Sequence, residues 1–253
     1  MPVTNFTEAD VTLGIVREFA SFFAEWAEPD VVVVGAGPAG LAASLRLSRR
    51  YKVLVLERGL GVGGGIRGGG MLLPFAAVEE GEASDLLSSL GTRMVRRGKL
   101  YFLSGLEAMV RLAKAVLDNG AFIWTGVHVE DLIVRGERVS GVVINWTPIA
   151  DSGWHVDPLM IPSRAVVDAT GHDAFLLRLL EKRGRLRLRG MGFMDAPTGE
   201  EEVVEASGRV VEGLYVAGMA ASELRGTPRM GPVLGGMIRS GLRVASAVEA
   251  DLG

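Results

Sequence analysis

The chain has 253 residues, with 27 basic and 30 acidic side chains and a formal charge of −3, so its bulk charge favours neither nucleic acid nor a membrane surface as partner. Apolar residues make up 48%, which excludes disorder; no apolar run reaches the roughly 18 residues of a membrane span, and Met1-Pro2-Val3-Thr4-Asn5 lacks a secretory layout, so a cytoplasmic protein is expected. Cysteine is absent, which excludes disulfides, cysteine-ligated metal centres and thiolate mechanisms, and leaves N and O atoms to hold any metal.

Thr7 precedes Val11, Ile15, Phe19, Phe22, Phe23 and Trp26 at helical spacing, which predicts an amphipathic helix closed by Pro29. Val31-Val32-Val33-Val34 is too apolar for a surface strand and reads as a parallel strand covered on both faces. It runs into Gly35-Ala36-Gly37-Pro38-Ala39-Gly40, followed by a helix over 41–49 and a second buried strand over 52–56 ending at Glu57. This is a βαβ unit over 31–57. Eight glycines then crowd residues 59–70, more than a turn requires, so the backbone there passes close to something or takes positive φ repeatedly.

Ser104 and Glu107 have capping-box spacing for a helix to about residue 118, with Asn119-Gly120 as its stop. A strand near Phe122 follows, then a hairpin over 128–134 and 138–144 around Arg135-Gly136-Glu137. Residues 146–162 read as a long connection, which in compact proteins is usually functional. A buried strand over 166–171 precedes a helix over 173–182, and a strand over 213–218 enters a glycine before a closing helix over 231–251. The order predicts a single α/β domain over 1–253: a doubly wound Rossmann-like sheet of the FAD/NAD(P)-binding kind, with a β-hairpin insertion.

Gly35, Gly37 and Gly40 follow a strand, open a helix and precede an acid at the end of the next strand. The glycines let backbone N–H groups and a helix N-terminus approach a pyrophosphate, while Glu57 accepts bonds from the ribose hydroxyls, which favours NAD or FAD over NADP. Two-dinucleotide flavoproteins usually carry Asp after the late Gly-Leu-Tyr-Val-Ala-Gly strand to hold the flavin; here that residue is Met219. Of the three histidines, His128 reads as a structural or surface residue of the hairpin. His155 and Asp157 are two apart, so an extended backbone turns both to one face. His172 follows a strand at the edge where open sheets place ligands. One Asp and up to two His suit a six-coordinate ferrous ion with open positions better than closed zinc. Arg229, before the closing helix, suits a small carboxylate. A flavin-dependent oxidoreductase and a non-catalytic NAD-binding module remain the competing readings.

Glu57-Arg58 with Gly63-Gly64-Gly65, His155-Val156-Asp157-Pro158, Gly171-His172-Asp173 and Arg229-Met230-Gly231-Pro232 together resemble the thiazole synthase family of thiamine biosynthesis in its archaeal form, over about residues 10–250. The resemblance implies a flavoprotein-like fold that consumes NAD as substrate, joining its ADP-ribose part with glycine and sulfur into an ADP-linked thiazole carboxylate. Archaeal members have also carried the label ribose 1,5-bisphosphate isomerase, which the dinucleotide fingerprint does not favour. By the same resemblance, Ala39 stands beside the phosphates where the family often has Ser. Glu57 and Arg58 meet the adenosine end, and Gly65, Val129, Met219 and the strip His155-Val156-Asp157 make further dinucleotide contacts. Asp157 and His172 match iron ligands supplied by neighbouring subunits of an octamer, and Arg229 matches the glycine-carboxylate site. His155 stands where fungal and plant members have the cysteine that surrenders its sulfur, so the resemblance implies an enzyme that takes free sulfide through Fe(II). Its implied course is loss of nicotinamide, isomerisation of ring-opened ADP-ribose to a ketone, condensation with glycine, sulfide addition and cyclisation, with His155 or Asp157 shuttling protons.

Overall fold

Thr7 and Asp10 open the first helix, α1 (Glu8–Trp26), by reciprocal bonds: the Asp10 amide donates to Thr7 Oγ1 and the Thr7 amide to Asp10 Oδ2. The computed structural model describes residues 5–253; Met1 to Thr4, on which most of the reading against a secretory segment falls, lie outside them. The end of α1 packs aromatically, with Phe22 4.3 Å from Phe122 and 5.3 Å from Trp124 between ring centroids. Its first half leaves Val11, Leu13, Ile15 and Val16 exposed.

β1 (Val31–Val34), α2 (Pro38–Leu47) and β2 (Val53–Glu57) form the expected βαβ unit. The helix begins before residue 41 because Pro38 occupies its first turn, where a missing N–H leaves no bond unmade. Residues 71–103 have little sequence signal, yet they fold as β3 (Phe75–Glu79), α3 (Glu82–Ser89), β4 (Met94–Arg97) and β5 (Leu100–Ser104), the strands pairing antiparallel in the order β3-β5-β4. In α4 (Gly105–Asp118), Ser104 Oγ accepts the Glu107 N–H at 3.3 Å, but the Glu107 carboxylate pairs with Arg111 at 2.9 Å instead of completing the capping box.

β6 (Phe122–Thr125), β7 (Val127–Arg135) and β8 (Arg138–Trp146) follow. The connection after them is more ordered than its sequence suggests: it contains α5 (Thr147–Ser152) and β9 (Leu159–Pro162), and β9 joins the hairpin to make a three-stranded sheet. The chain ends with β10 (Ala165–Asp168), α6 (Phe175–Lys182), α7 (Ala196–Ala206), β11 (Gly208–Val211), β12 (Leu214–Val216), α8 (Met219–Arg225) and α9 (Gly235–Leu252). The closing helix starts at 235 rather than 231 because the preceding strip is engaged by β3: the Ala77 N–H donates to Pro232 O and the Leu234 N–H to Ala77 O. No helix of the described residues is long and apolar enough to cross a membrane.

The central sheet has the order β11-β12-β10-β1-β2-β6, parallel except where β11 meets β12. Its side chains alternate between two cores. Val31, Val33, Val53, Val55 and Val167 face α2, α4 and α9, whereas Val32, Val34, Leu54, Leu56 and Val166 pack toward β7, β8 and α6. Because β1 pairs with β2 on one side and β10 on the other, the chain reverses its winding there, and a crevice opens beyond the carboxyl ends of these strands.

Candidate active site

That crevice is a cleft of about 820 Å³. On its floor the fingerprint turn is held by contacts that only glycine permits. Gly35 has φ +104, and a Cβ on it would lie 2.4 Å from Ala169 O; a Cβ on Gly40 would lie 2.0 Å from Gly35 O. Gly37 is the N-cap residue of α2 and has no side chain to engage the first-turn N–H groups, so these remain available to an anion. Glu57 takes the Ala36 N–H on Oε2 and the Gly59 N–H on Oε1, both at 2.8 Å. Each oxygen keeps acceptor capacity for a ribose hydroxyl.

The glycine-rich loop is clamped between this turn and α4. The Gly63 N–H donates to Ala36 O at 2.7 Å, and a Cβ on Gly105 would lie 2.1 Å from Ile66 O. Gly64 and Gly65 therefore face the cleft beside Gly37. The excess of glycine serves close backbone approach.

A second brace carries His172. Asp168 is fully buried, and its carboxylate accepts the Thr170 N–H at 3.0 Å, the Thr170 hydroxyl at 2.7 Å and the Leu177 N–H at 3.1 Å. Burial raises the Asp168 pKa and these bonds oppose the rise. Thr170 Oγ1 in turn accepts the Phe175 N–H at 2.7 Å. The turn so gripped holds Ala174 at φ +42 and exposes His172 and Asp173 in the cleft wall. On the opposite wall Arg229 is fixed by its backbone, its N–H donating to Phe193 O and its carbonyl accepting the Asp195 N–H, both at 3.0 Å. Arg58 also lines the cleft and pairs with Asp151 at 3.1 Å.

Of the residues expected from sequence, Gly35, Gly37, Ala39, Glu57, Arg58, Gly65, Val129, His172, Met219 and Arg229 line this one cleft. Gly40 does not; it is buried behind the turn and acts through packing. His155, Val156 and Asp157 lie exposed outside the cleft of their own chain, on the segment between α5 and β9 that Asn145 Nδ2 tethers through Val156 O at 3.0 Å. Asp157 does not line the cleft that His172 lines, and among the described residues no three His, Asp or Glu side chains gather as a metal site.

A family model described as the Thi4 family matches residues 12–234, a span that contains every one of these positions. The chain belongs to the Thi4 family. This Thi4-family chain is 45% identical to a thiamine thiazole synthase of Archaeoglobus fulgidus, over 98% of its own length and 97% of that protein. It is 41% identical to one of Pyrococcus horikoshii over 97% and 98%. It superposes on the crystal structure of Thermovibrio ammonificans THI4 with a TM-score of 0.94 at 36% identity, covering 98% and 99% of the two chains.

Three cleft residues of this Thi4-family chain escape sequence reasoning. His128 is not a residue apart from the site: it lines the cleft near Arg58, edge-on to Phe175 with ring centroids 4.8 Å apart. Burial, and then the Arg58 charge, lower its pKa and favour the neutral imidazole. Phe175 is the second, and Thr147, whose hydroxyl donates to Arg58 O at 2.8 Å, is the third. Strand alternation could not single out His128, because Val127 and Val129 on either side line the same cleft.

Proposed function

We propose that the protein is a thiamine thiazole synthase, a transferase that consumes NAD, glycine and sulfide with Fe(II) and makes an ADP-linked thiazole carboxylate in the cytoplasm. The observation that carries this reading is the joining, in one cleft, of the dinucleotide turn and Glu57 with His172 and Arg229. In it, the open N–H groups of α2 bind the pyrophosphate and Glu57 orients the adenosine ribose. Arg229 presents a guanidinium to the glycine carboxylate. His172 of one copy and Asp157 of a neighbour would hold the iron; an imidazole and a carboxylate, both exposed, are a donor pair suited to that ion. When bound, the ferrous ion supplies Lewis acidity and an open position for sulfide. His155, beside Asp157, moves protons during condensation and cyclisation. The absence of cysteine requires the sulfur to come from outside the chain.

Anaerobic incubation with NAD, glycine, sulfide and Fe(II), followed by mass spectrometry, tests the reading. Nicotinamide release with an ADP-thiazole carboxylate is expected. Arg229→Ala should raise KM for glycine at least ten-fold, the size of one charge-assisted contact, with NAD affinity kept. A yellow protein with bound flavin, or NAD left unconsumed, overturns it.

A further inference from the structure

Glu200 lies on α7, away from the cleft lining, and is 2% exposed. Its Oε2 accepts the Gly236 N–H at 2.5 Å in the first turn of α9, while its Oε1 has no hydrogen-bond partner. The nearest cation, Arg239 on α9, stands 3.9 Å from Oε2 and spends its hydrogen bonds elsewhere, reaching Glu201 at 3.1 Å. Glu79 on β3 and Glu201 on α7 add like charge nearby. Burial, opposed by the Gly236 N–H and Arg239, pushes the Glu200 carboxyl up to about 7.

A carboxyl kept under such conditions has one hydrogen-bonding partner, the N-terminus of an 18-residue helix. α9 has no side-chain cap of its own. Room for Glu200 is made by glycines: a Cβ on Gly235 would lie 2.8 Å from its Oε2, and one on Gly236 2.7 Å from its backbone oxygen.

The strip leading into α9 is the cleft wall, with Arg229, Gly231, Pro232 and Val233 facing the cavity. α7 holds this strip at both ends. At its start Asp195, the N-cap of α7, donates its N–H to Arg229 O, and Gly199 packs so closely that a Cβ would be 2.8 Å from Pro228 O. At its far end Glu200 takes the Gly236 N–H.

We propose that Glu200 is a positioning residue: by capping α9 from α7 it holds the 229–236 strip in place and thereby sets where Arg229 presents its guanidinium to the amino-acid substrate. The inference rests on the reading of Arg229 as the carboxylate anchor. Glu200→Ala and Glu200→Gln are compared with the wild type by amide hydrogen exchange over 229–238 and by KM for glycine and NAD in the anaerobic assay. Glu200→Ala should speed exchange at 234–238 and raise KM for glycine at least ten-fold, with kcat and KM for NAD within three-fold. Glu200→Gln, whose amide oxygen can still accept the Gly236 N–H, should restore both. Unchanged exchange in folded Glu200→Ala, or equal rises in KM for glycine and NAD, overturns the proposal. Should Glu200→Ala not fold, faster exchange at 234–238 in Glu200→Gln overturns it, and unchanged exchange there supports it. If the wild type consumes no NAD, the thiazole reading fails, and the exchange measurement alone decides whether Glu200 holds the strip.

Discussion

Two buried carboxyls in this molecule differ in how they are hydrogen-bonded. Asp168 receives three hydrogen bonds and braces the turn that bears His172, whereas Glu200 has one oxygen without a partner. For Glu200 the consequence is a pH dependence of stability. The Glu200 carboxyl lies at about 7 in the folded chain against an ordinary value of 4.5, so folding favours its protonated form. Its contribution is fully present below pH 4.5 and is lost as pH rises through 7. Glu200→Gln cannot ionise, so its melting temperature relative to the wild type should climb between pH 5 and pH 8, as calorimetry would show; a constant difference across that range contradicts the assignment.

At the scale of elements, glycine decides which segments can touch. The glycine-rich loop reaches the fingerprint turn because α4 begins with Gly105, under Ile66 O. Gly105→Ala adds a methyl group where backbone already sits, and overpacking of this kind costs about 1–3 kcal/mol. The loop has more freedom to yield than the helix. The expected outcome is therefore a loss of NAD affinity of at least ten-fold by calorimetry with helical circular dichroism unchanged, and undiminished NAD binding would show that the loop's position is not set by α4. The same scale explains why 71–103 were illegible. β4 leaves Val95, Arg96 and Arg97 all exposed, so it lacks the alternation by which a half-buried strand is recognised.

At the scale of the whole molecule, one chain leaves several apolar side chains exposed. Val11, Leu13, Ile15 and Val16 are exposed on α1, and Trp154 and Met160 flank the His155–Asp157 strip. Met71 and Leu72, beside the cleft, are 93% and 87% exposed at φ +53 and +60, a backbone region that costs L-residues roughly 1–2 kcal/mol each. Apolar surface presented in this way suits burial against further copies, as the octamer implied by the family resemblance would require. Co-expressed Asp157→Ala and His172→Ala chains, each inactive alone, should regain about a quarter of wild-type activity, because random assembly gives that fraction of sites with both ligands intact when the ligands come from different copies. No recovery in mixed oligomers would place both ligands on one chain.

The amino-acid order by itself determined the βαβ unit, the dinucleotide turn and the acid at the end of β2. These depend on local rules: an unbroken β-branched run can only be buried, and positive φ or backbone contact selects glycine. It also marked His172, just beyond the end of β10, whereas Arg229 is held by backbone bonds to Phe193 and Asp195. Only the tertiary structure decided which way His128 faces, that Asp157 lies outside its own cleft, and that Glu200 caps a helix beginning 35 residues further along the chain. Each of these depends on what another segment brings alongside, and periodicity carries no record of a neighbour remote in sequence.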